Sequence, residues 1–299
     1  MGRCLAAVVA LAAYAMSVQQ PSAGRPVLES FVEGRGRTVV FLDGGIYGVS
    51  FEPHARLLRP DFRVVRAETL AFERARKQAP LPSGYSLDME SEAMARTLDA
   101  LALTGPVDVV AASFGALVAL DFALDHPRRV RTLTLFEPPV FWAMPAAMIS
   151  NDSGLAAMIE VIRELDPWAD PTDAQMAAFL CTLGTCGAEP PDDGTTELKM
   201  WDAHRASLRG LSTVANHRDS IDRLKTLTMP VLLMTGAASV GFHRRINDEL
   251  AARLPRVERV EVTGDHTAPL TAQDEFLAKW RAFLEKHYPE SAYVPQNVR

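Results

Sequence analysis

The side chains best suited to chemistry are an alcohol and an imidazole far apart along the chain. Residues 107–122 read Val-Asp-Val-Val-Ala-Ala-Ser-Phe-Gly-Ala-Leu-Val-Ala-Leu-Asp-Phe. The β-branched apolar residues Val107, Val109 and Val110 lead into Ala111-Ala112-Ser113-Phe114-Gly115. An apolar helical run follows (Ala116, Leu117, Val118, Leu120, Phe122). The pattern predicts a strand, a very tight turn and a buried helix, with a hydroxyl at the apex. Such a turn needs small residues on either side of the serine, and Ala111 and Gly115 supply them. It would lift Ser113 Oγ above the sheet at a helix N-terminus, where the dipole favours developing negative charge. The other reading is a buried serine in an ordinary β–turn–α unit, since Ala stands first in the pentapeptide and not Gly. A hydroxyl is a weak nucleophile and needs a base. His266 follows the strand-like run Val257–Val262 and precedes the last amphipathic helix, so its ring can swing over the edge where the Ser113 turn emerges. The remaining histidines read as surface or packing residues: His126 as a helix C-cap, His204 and His217 in an insertion, His54, His243 and His287 on predicted helices.

These residues need a frame. Strand-like runs at Val27–Val32, Thr38–Leu42, Phe62–Val65, Val107–Val110, Val130–Phe136, Val231–Met234 and Val257–Val262 alternate with helical periods. Met94, Leu98 and Leu101 share one helical face after a start at Ser86. Phe276, Trp280, Phe283 and Leu284 share another, after a Thr271-x-x-Asp274 capping-box pattern. Alternation of this kind implies a mostly parallel sheet with helices on both faces. It breaks between about Pro138 and Leu227, where helical segments (154–165, 173–183, 197–211) and prolines leave no convincing strand. That stretch reads as an all-helical insertion. Its methionines (Met144, Met148, Met158, Met176, Met200), with Trp142, Trp168 and Trp201, either line an adaptable apolar pocket or pack a small helical core.

The bulk numbers exclude several classes. The chain has 299 residues, 48% apolar and 23% charged, with net charge −6. That suits one packed α/β domain with an insertion. No long Lys/Arg cluster marks a nucleic-acid partner. Arg3 precedes an uncharged run from Leu5 to Met16, then polar residues. This is the pattern of a signal peptide within a 1–24 leader, and it implies export; a disordered leader on a cytoplasmic protein is the alternative. The run is too short for stable membrane insertion. Cys181 and Cys186 can pair in an oxidising compartment or remain free thiols, and they lack the His partners of a zinc site.

Taken together, Phe41-Leu42-Asp43-Gly44-Gly45, the Ser113 turn, Leu135-Phe136-Glu137-Pro138-Pro139, Leu233-Met234-Thr235-Gly236 and Gly264-Asp265-His266 resemble the α/β-hydrolase fold superfamily, in its capped serine-hydrolase form. The similarity runs from about residue 27 to 287. It implies an α/β fold with a core of 25–137 and 228–290 and a helical cap of 138–227. It also implies Ser113 as nucleophile, His266 as base, and the backbone N–H groups of Gly45 and Phe114 as oxyanion hole. Two departures stand out. Most members carry the acid just past the strand placed here at Val231–Met234, where this chain has Ser239. Some, haloalkane dehalogenases among them, take it from the preceding strand's end, which implies Glu137; its other reading is a Glu-Pro-Pro hinge into the cap. Asp43-Gly44 also replaces the usual His-Gly. Asp43 either braces its loop or contacts substrate, and Gly44, Trp142 and Trp201 are further candidate substrate contacts. Asp265 adjoins His266 but should point away from it.

Dehalogenases and epoxide hydrolases of this fold use Asp at the turn, so Ser113 speaks for acyl transfer. The expected activity is hydrolysis of a small or medium apolar ester, with no metal and no organic cofactor. A lyase, a carbon–carbon bond hydrolase, a cofactor-free perhydrolase and a non-catalytic small-molecule binding protein on the same scaffold remain open.

Overall fold

Seven strands form one sheet in the order β1-β3-β2-β4-β5-β6-β7. They are β1 (Ser30–Gly34), β2 (Arg37–Asp43), β3 (Phe62–Glu68), β4 (Val107–Ala112), β5 (Val130–Phe136), β6 (Val231–Gly236) and β7 (Val257–Val262). Only β1 runs antiparallel, against β3; the other pairings are parallel. The computed structural model describes residues 25–43, 51–192 and 196–288. The leader with Cys4, the glycines at 44 and 45, and the tail after Tyr288 therefore lie outside the described residues. β1 begins at Ser30, three residues later than the apolar pattern from Val27 suggests. Gly34, at φ 73°, makes the turn into β2 possible: a Cβ there would lie 2.2 Å from the Phe62 carbonyl oxygen.

The helices are α1 (Glu52–Leu58), α2 (Leu70–Arg76), α3 (Leu87–Ala100), α4 (Ser113–Asp125), α5 (Ala146–Asn151), α6 (Ser153–Arg163), α7 (Asp173–Thr182), α8 (Thr196–Leu211), α9 (Gly241–Ala251), α10 (Ala268–Thr271) and α11 (Gln273–His287). Helices α5 to α8 fall between β5 and β6, with no strand among the described residues there. Every residue of β4 and β6 is buried, as parallel strands covered on both faces require, which is why both are largely apolar, Asp108 of β4 apart. One face packs Phe51, the N-cap of α1, and Phe276 and Trp280 of α11 against Phe41 and Phe136. The other packs Leu98 and Leu117 of α3 and α4, and it runs on without a break into Leu155, Met158, Phe179 and Leu208 of the insertion. The cap is thus an extension of the main core. Met144, Met158 and Met176 are buried in it, whereas Met200 and Trp168 are exposed.

Capping follows the sequence at α3, where Ser86 Oγ accepts the Met89 N–H. It departs at α11. The expected Thr271–Asp274 capping box does not form: Thr271 ends the short helix α10, its hydroxyl donates to the Thr267 carbonyl, and Ala272 stands at the N-cap of α11. Cys181 and Cys186 are bridged, closing the turn that follows α7. No described helix is long and apolar enough to cross a membrane.

Parallel register sets the ends of neighbouring strands side by side. Ala112 pairs with Phe136, Phe136 with Met234, and Gly236 with Val262. The residues that leave β4, β5, β6 and β7 therefore emerge along one edge. Near its start β4 carries a buried charge, Asp108. Its carboxylate accepts Arg37 Nε and Nη2 at 2.5 and 2.9 Å, Arg131 Nη1 at 3.0 Å and Thr132 Oγ1 at 2.8 Å, joining β2, β4 and β5. Removing one partner leaves uncompensated buried charge. Asp108→Ala should lower unfolding stability by about 3–5 kcal/mol in urea titration; a loss within ~0.5 kcal/mol would show that the cluster contributes nothing net.

Candidate active site

Three residues from the aligned strand ends meet. Ser113 is the first residue of α4, directly after β4. Glu137 is the first residue past β5, and His266 lies in the turn after β7. Ser113 Oγ stands 3.0 Å from His266 Nε2, and His266 Nδ1 stands 2.5 Å from Glu137 Oε2. An ionised carboxylate only accepts, so Nδ1 carries the proton and Nε2 is left to accept from the serine hydroxyl. Glu137 Oε1 accepts the Gly236 N–H at 2.8 Å. A side chain at Gly236 could not fit, because its Cβ would lie 2.5 Å from the Asp265 carbonyl oxygen and 2.6 Å from Ser239 Oγ. Ser239, where the resemblance places the usual acid, is thus beside the carboxylate that came from the neighbouring strand. Asp265 turns aside to accept the Thr267 N–H and hydroxyl.

Backbone strain singles out the same residues. Four described non-glycine residues have positive φ: Gln78, Ala102, Ser113 and Glu137. Gln78 and Ala102 follow the ends of α2 and α3, where a left-handed residue closes a helix. Ser113 at φ 52° and Glu137 at φ 47° leave strands, where nothing of the kind is required. Each costs about 1–2 kcal/mol, which surrounding structure has to offset. The turn directs Ser113 Oγ out of the sheet. It also makes Phe114 one of the first residues of α4, whose N–H groups have no partner within the helix and favour negative charge. Gly45, the other expected oxyanion donor, and Gly44 lie outside the described residues.

Glu137 is 1% exposed. Burial alone would raise its pKa, but the His243 and His266 rings at its carboxylate outweigh this and hold it well below the usual carboxylate range. His243 is a residue that sequence reasoning missed. Its place on α9 suggested packing or surface, yet its ring stacks on His266 at 4.9 Å and 13°. Its Nε2 lies 3.6 Å from Glu137 Oε2. Burial pushes His243 down to about 3, so it is neutral at pH 7 and shields one face of the His266 ring from water. Glu137, His243 and His266 together also offer three ligand atoms within 4.8 Å of one another. His54, also read as packing or surface, is wholly buried, with Nε2 2.7 Å from the Pro269 carbonyl oxygen behind the His266 turn.

The other candidates are placed as follows. Asp43 is buried, and its Oδ1 accepts the Phe51 N–H at 2.9 Å, which ties together the two ends of the segment carrying Gly44 and Gly45. Arg66 is 3.6 Å from its other oxygen. This is the bracing role, not exposure to a ligand. Trp142 is half-buried with its ring edge toward His217, and Trp201 donates its indole N–H to Asp173 at the start of α7. The cap nears the serine instead through α8: a Cβ on Gly210 would lie 2.5 Å from Ala71 Cβ and 3.7 Å from Phe114 Cζ.

With that geometry in view, the comparisons with known proteins bear on the fold that carries it. The model of the α/β hydrolase fold family matches residues 37–179. The chain has the α/β-hydrolase fold. It is 29% identical over 266 residues to RutD of Caulobacter segnis, named as a carbamate hydrolase, covering 84% of this chain and 92% of that one. It is 27% identical over 263 residues to the polyketide synthase ThaQ of Burkholderia thailandensis, covering 85% of this chain but spanning only 12% of that protein's length. The 2-hydroxymuconate semialdehyde hydrolase of Pseudomonas sp. CF600 is 30% identical over 125 residues, 38% of this chain and 43% of that one. Among solved structures, a membrane phospholipase A superposes with TM-score 0.64 at 19% identity, covering 91% of this chain and 86% of that one. The enol-lactonase of Burkholderia xenovorans LB400 does so with TM-score 0.57 at 18% identity, covering 86% and 96%. These structures share the fold.

Burial pushes the Asp43 carboxyl up to about 7, against an ordinary value of 3.8, despite the Phe51 N–H and Arg66. A group that binds its proton more tightly when folded stabilises fully below about pH 4, and that contribution is lost as the pH rises to about 7. Asparagine keeps an acceptor for Phe51 and cannot ionise. Urea midpoints of Asp43→Asn and the wild type should diverge between pH 4 and pH 7, the variant becoming more stable by on the order of 2–4 kcal/mol at pH 8. Parallel pH profiles would mean that the folded chain does not hold this carboxyl near neutrality.

Proposed function

We propose that the protein is a serine hydrolase acting on a small or medium apolar ester through an acyl-enzyme. The observation that carries this reading is the relay from Ser113 Oγ to His266 Nε2 at 3.0 Å and from His266 Nδ1 to Glu137 Oε2 at 2.5 Å. Ser113 attacks the carbonyl carbon as His266 takes its proton. Glu137 keeps the ring in the required tautomer and stabilises the imidazolium. The Phe114 N–H, with Gly45, receives the oxyanion. Protonated His266 then delivers its proton to the leaving alcohol. Water, deprotonated by the same ring, attacks the acyl-enzyme, and the acid leaves as Ser113 regains its proton. Every step is served by the chain's own side chains and backbone. The continuous apolar core of cap and sheet favours an apolar acyl group. The Cys181–Cys186 bridge supports export to an oxidising compartment.

A fluorophosphonate probe should label the wild type and leave Ser113→Ala unlabelled. Well-folded wild type that takes no label would favour the binding-protein reading. Glu137→Gln should cut kcat on a p-nitrophenyl ester by about 10²–10⁴-fold with the circular dichroism spectrum retained; undiminished turnover would remove Glu137 from the mechanism.

A second reading, hydrolysis of a carbon–carbon bond beside a carbonyl, draws on the 30% identity to 2-hydroxymuconate semialdehyde hydrolase. Parallel assays on a vinylogous 1,5-diketone and on p-nitrophenyl butyrate separate the two.

A further inference from the structure

A second group of titratable side chains lies away from the serine, where the cap returns to the core. Asp88 sits in the first turn of α3, Asp121 in the third turn of α4, and His217 in the segment that follows α8. Each offers one ligand atom, and these atoms all lie within 4.8 Å of one another. Asp121 is eight residues along α4 from Ser113, about 12 Å on an α-helical rise. The group is therefore separate from the Ser113–His266–Glu137 relay.

Proximity of acids is not a site in itself, and the orphaned Asp121 carboxylate is a second observation. Asp121 is 4% exposed, and its Oδ2 has no hydrogen-bond partner. Its Oδ1 lies 3.6 Å from His217 Nε2, too long for a hydrogen bond. A buried carboxylate without donors is costly. The nearby arginines hydrogen-bond other groups. Arg223 is held between Asp125 and Asp219 at 2.6 Å each, and Arg218 donates to the backbone oxygens of Ala215 and His217. Of the four carboxylates in this region, Asp125 and Asp219 thus share Arg223, and neither guanidinium group hydrogen-bonds Asp88 or Asp121.

We propose that Asp88, Asp121 and His217 bind a divalent transition-metal ion that pins the returning end of the cap to helices α3 and α4. One imidazole nitrogen and two carboxylate oxygens form a mixed donor set suited to Zn²⁺, and less well to Mn²⁺. Ligands at about 2.0–2.2 Å from the ion stand about 3–4.5 Å from each other, so the present spacing needs little adjustment. The ion supplies the positive charge that Asp121 lacks. Half-buried His217 and exposed Asp88 leave a path of entry and room for water as a further ligand. The role is structural: three elements distant in sequence are joined at a point well removed from the reacting atoms.

The test uses the full chain, stripped with chelator and titrated calorimetrically with ZnCl₂, MnCl₂ or CaCl₂ at pH 7.5. One equivalent of Zn²⁺ should bind and raise the Tm, with Mn²⁺ weaker and Ca²⁺ weakest. Asp88→Asn and His217→Gln should each weaken Zn²⁺ binding more than tenfold and abolish the Tm rise. Asp88 is exposed, so its variant folds whatever the fate of the others. Asp121→Asn should lose the ion yet be no less stable than the metal-free wild type, since the orphaned charge is gone. Glu137→Gln should bind Zn²⁺ like the wild type, which excludes the Glu137–His243–His266 group as the source. No binding by the wild type, tighter Ca²⁺ than Zn²⁺, or binding that survives Asp88→Asn and His217→Gln would each overturn the proposal.

Discussion

A negative charge buried at the end of β5 sets the terms for everything around it. The Glu137 carboxylate has almost no access to water, so its hydration must be replaced by fixed partners. The Gly236 N–H takes one oxygen and the His266 ring the other. Both come from neighbouring parallel strands, and only the register of β5, β6 and β7 brings them close. The left-handed backbone at Glu137 is part of the same bargain, because an extended residue would have carried the carboxylate away from the edge. The side chain is held where it is useful at a local conformational cost that the packed sheet covers.

With Glu137 held in this way, the position past β6, where the resemblance places the acid, can carry Ser239. The loop after β6 still contributes, through the Gly236 backbone and through the bond from the Ala238 N–H to the Gly264 carbonyl, which fixes the turn bearing His266. The work of one side chain has been divided between a backbone group and a carboxylate from next door. His243 completes the enclosure by lying flat on the imidazole. At the opposite end of the strands, Asp108 and its arginines show the same rule: a buried charge survives where several elements converge on it.

Much of this was legible in the residues. The small-residue turn around Ser113 and the loop around His266 are local patterns, and all seven strands show as strand-like runs, the first starting later than its pattern suggests. Glu137 has no local signature; it is found only by asking which strand end lies beside the histidine once the usual position is vacant. His243 could not be read, because a histidine on an amphipathic helix looks alike whether it packs against a methyl group or a reacting ring. The capping pattern before α11 misled because a one-turn helix claimed its threonine first. Asp88, Asp121 and His217 share no spacing at all, and only the return of the cap onto α3 and α4 makes them neighbours.

The chain leaves Glu137 through Pro138 and Pro139, then makes a 3-10 turn at Phe141–Ala143 before α5 begins. Two consecutive rings with fixed φ make that junction a stiff rod instead of a slack tether. Any displacement of the first cap segment would therefore reach the peptide that aims the Glu137 carboxylate. A carboxylate placed after β6 would lack that tie to the cap's first segment.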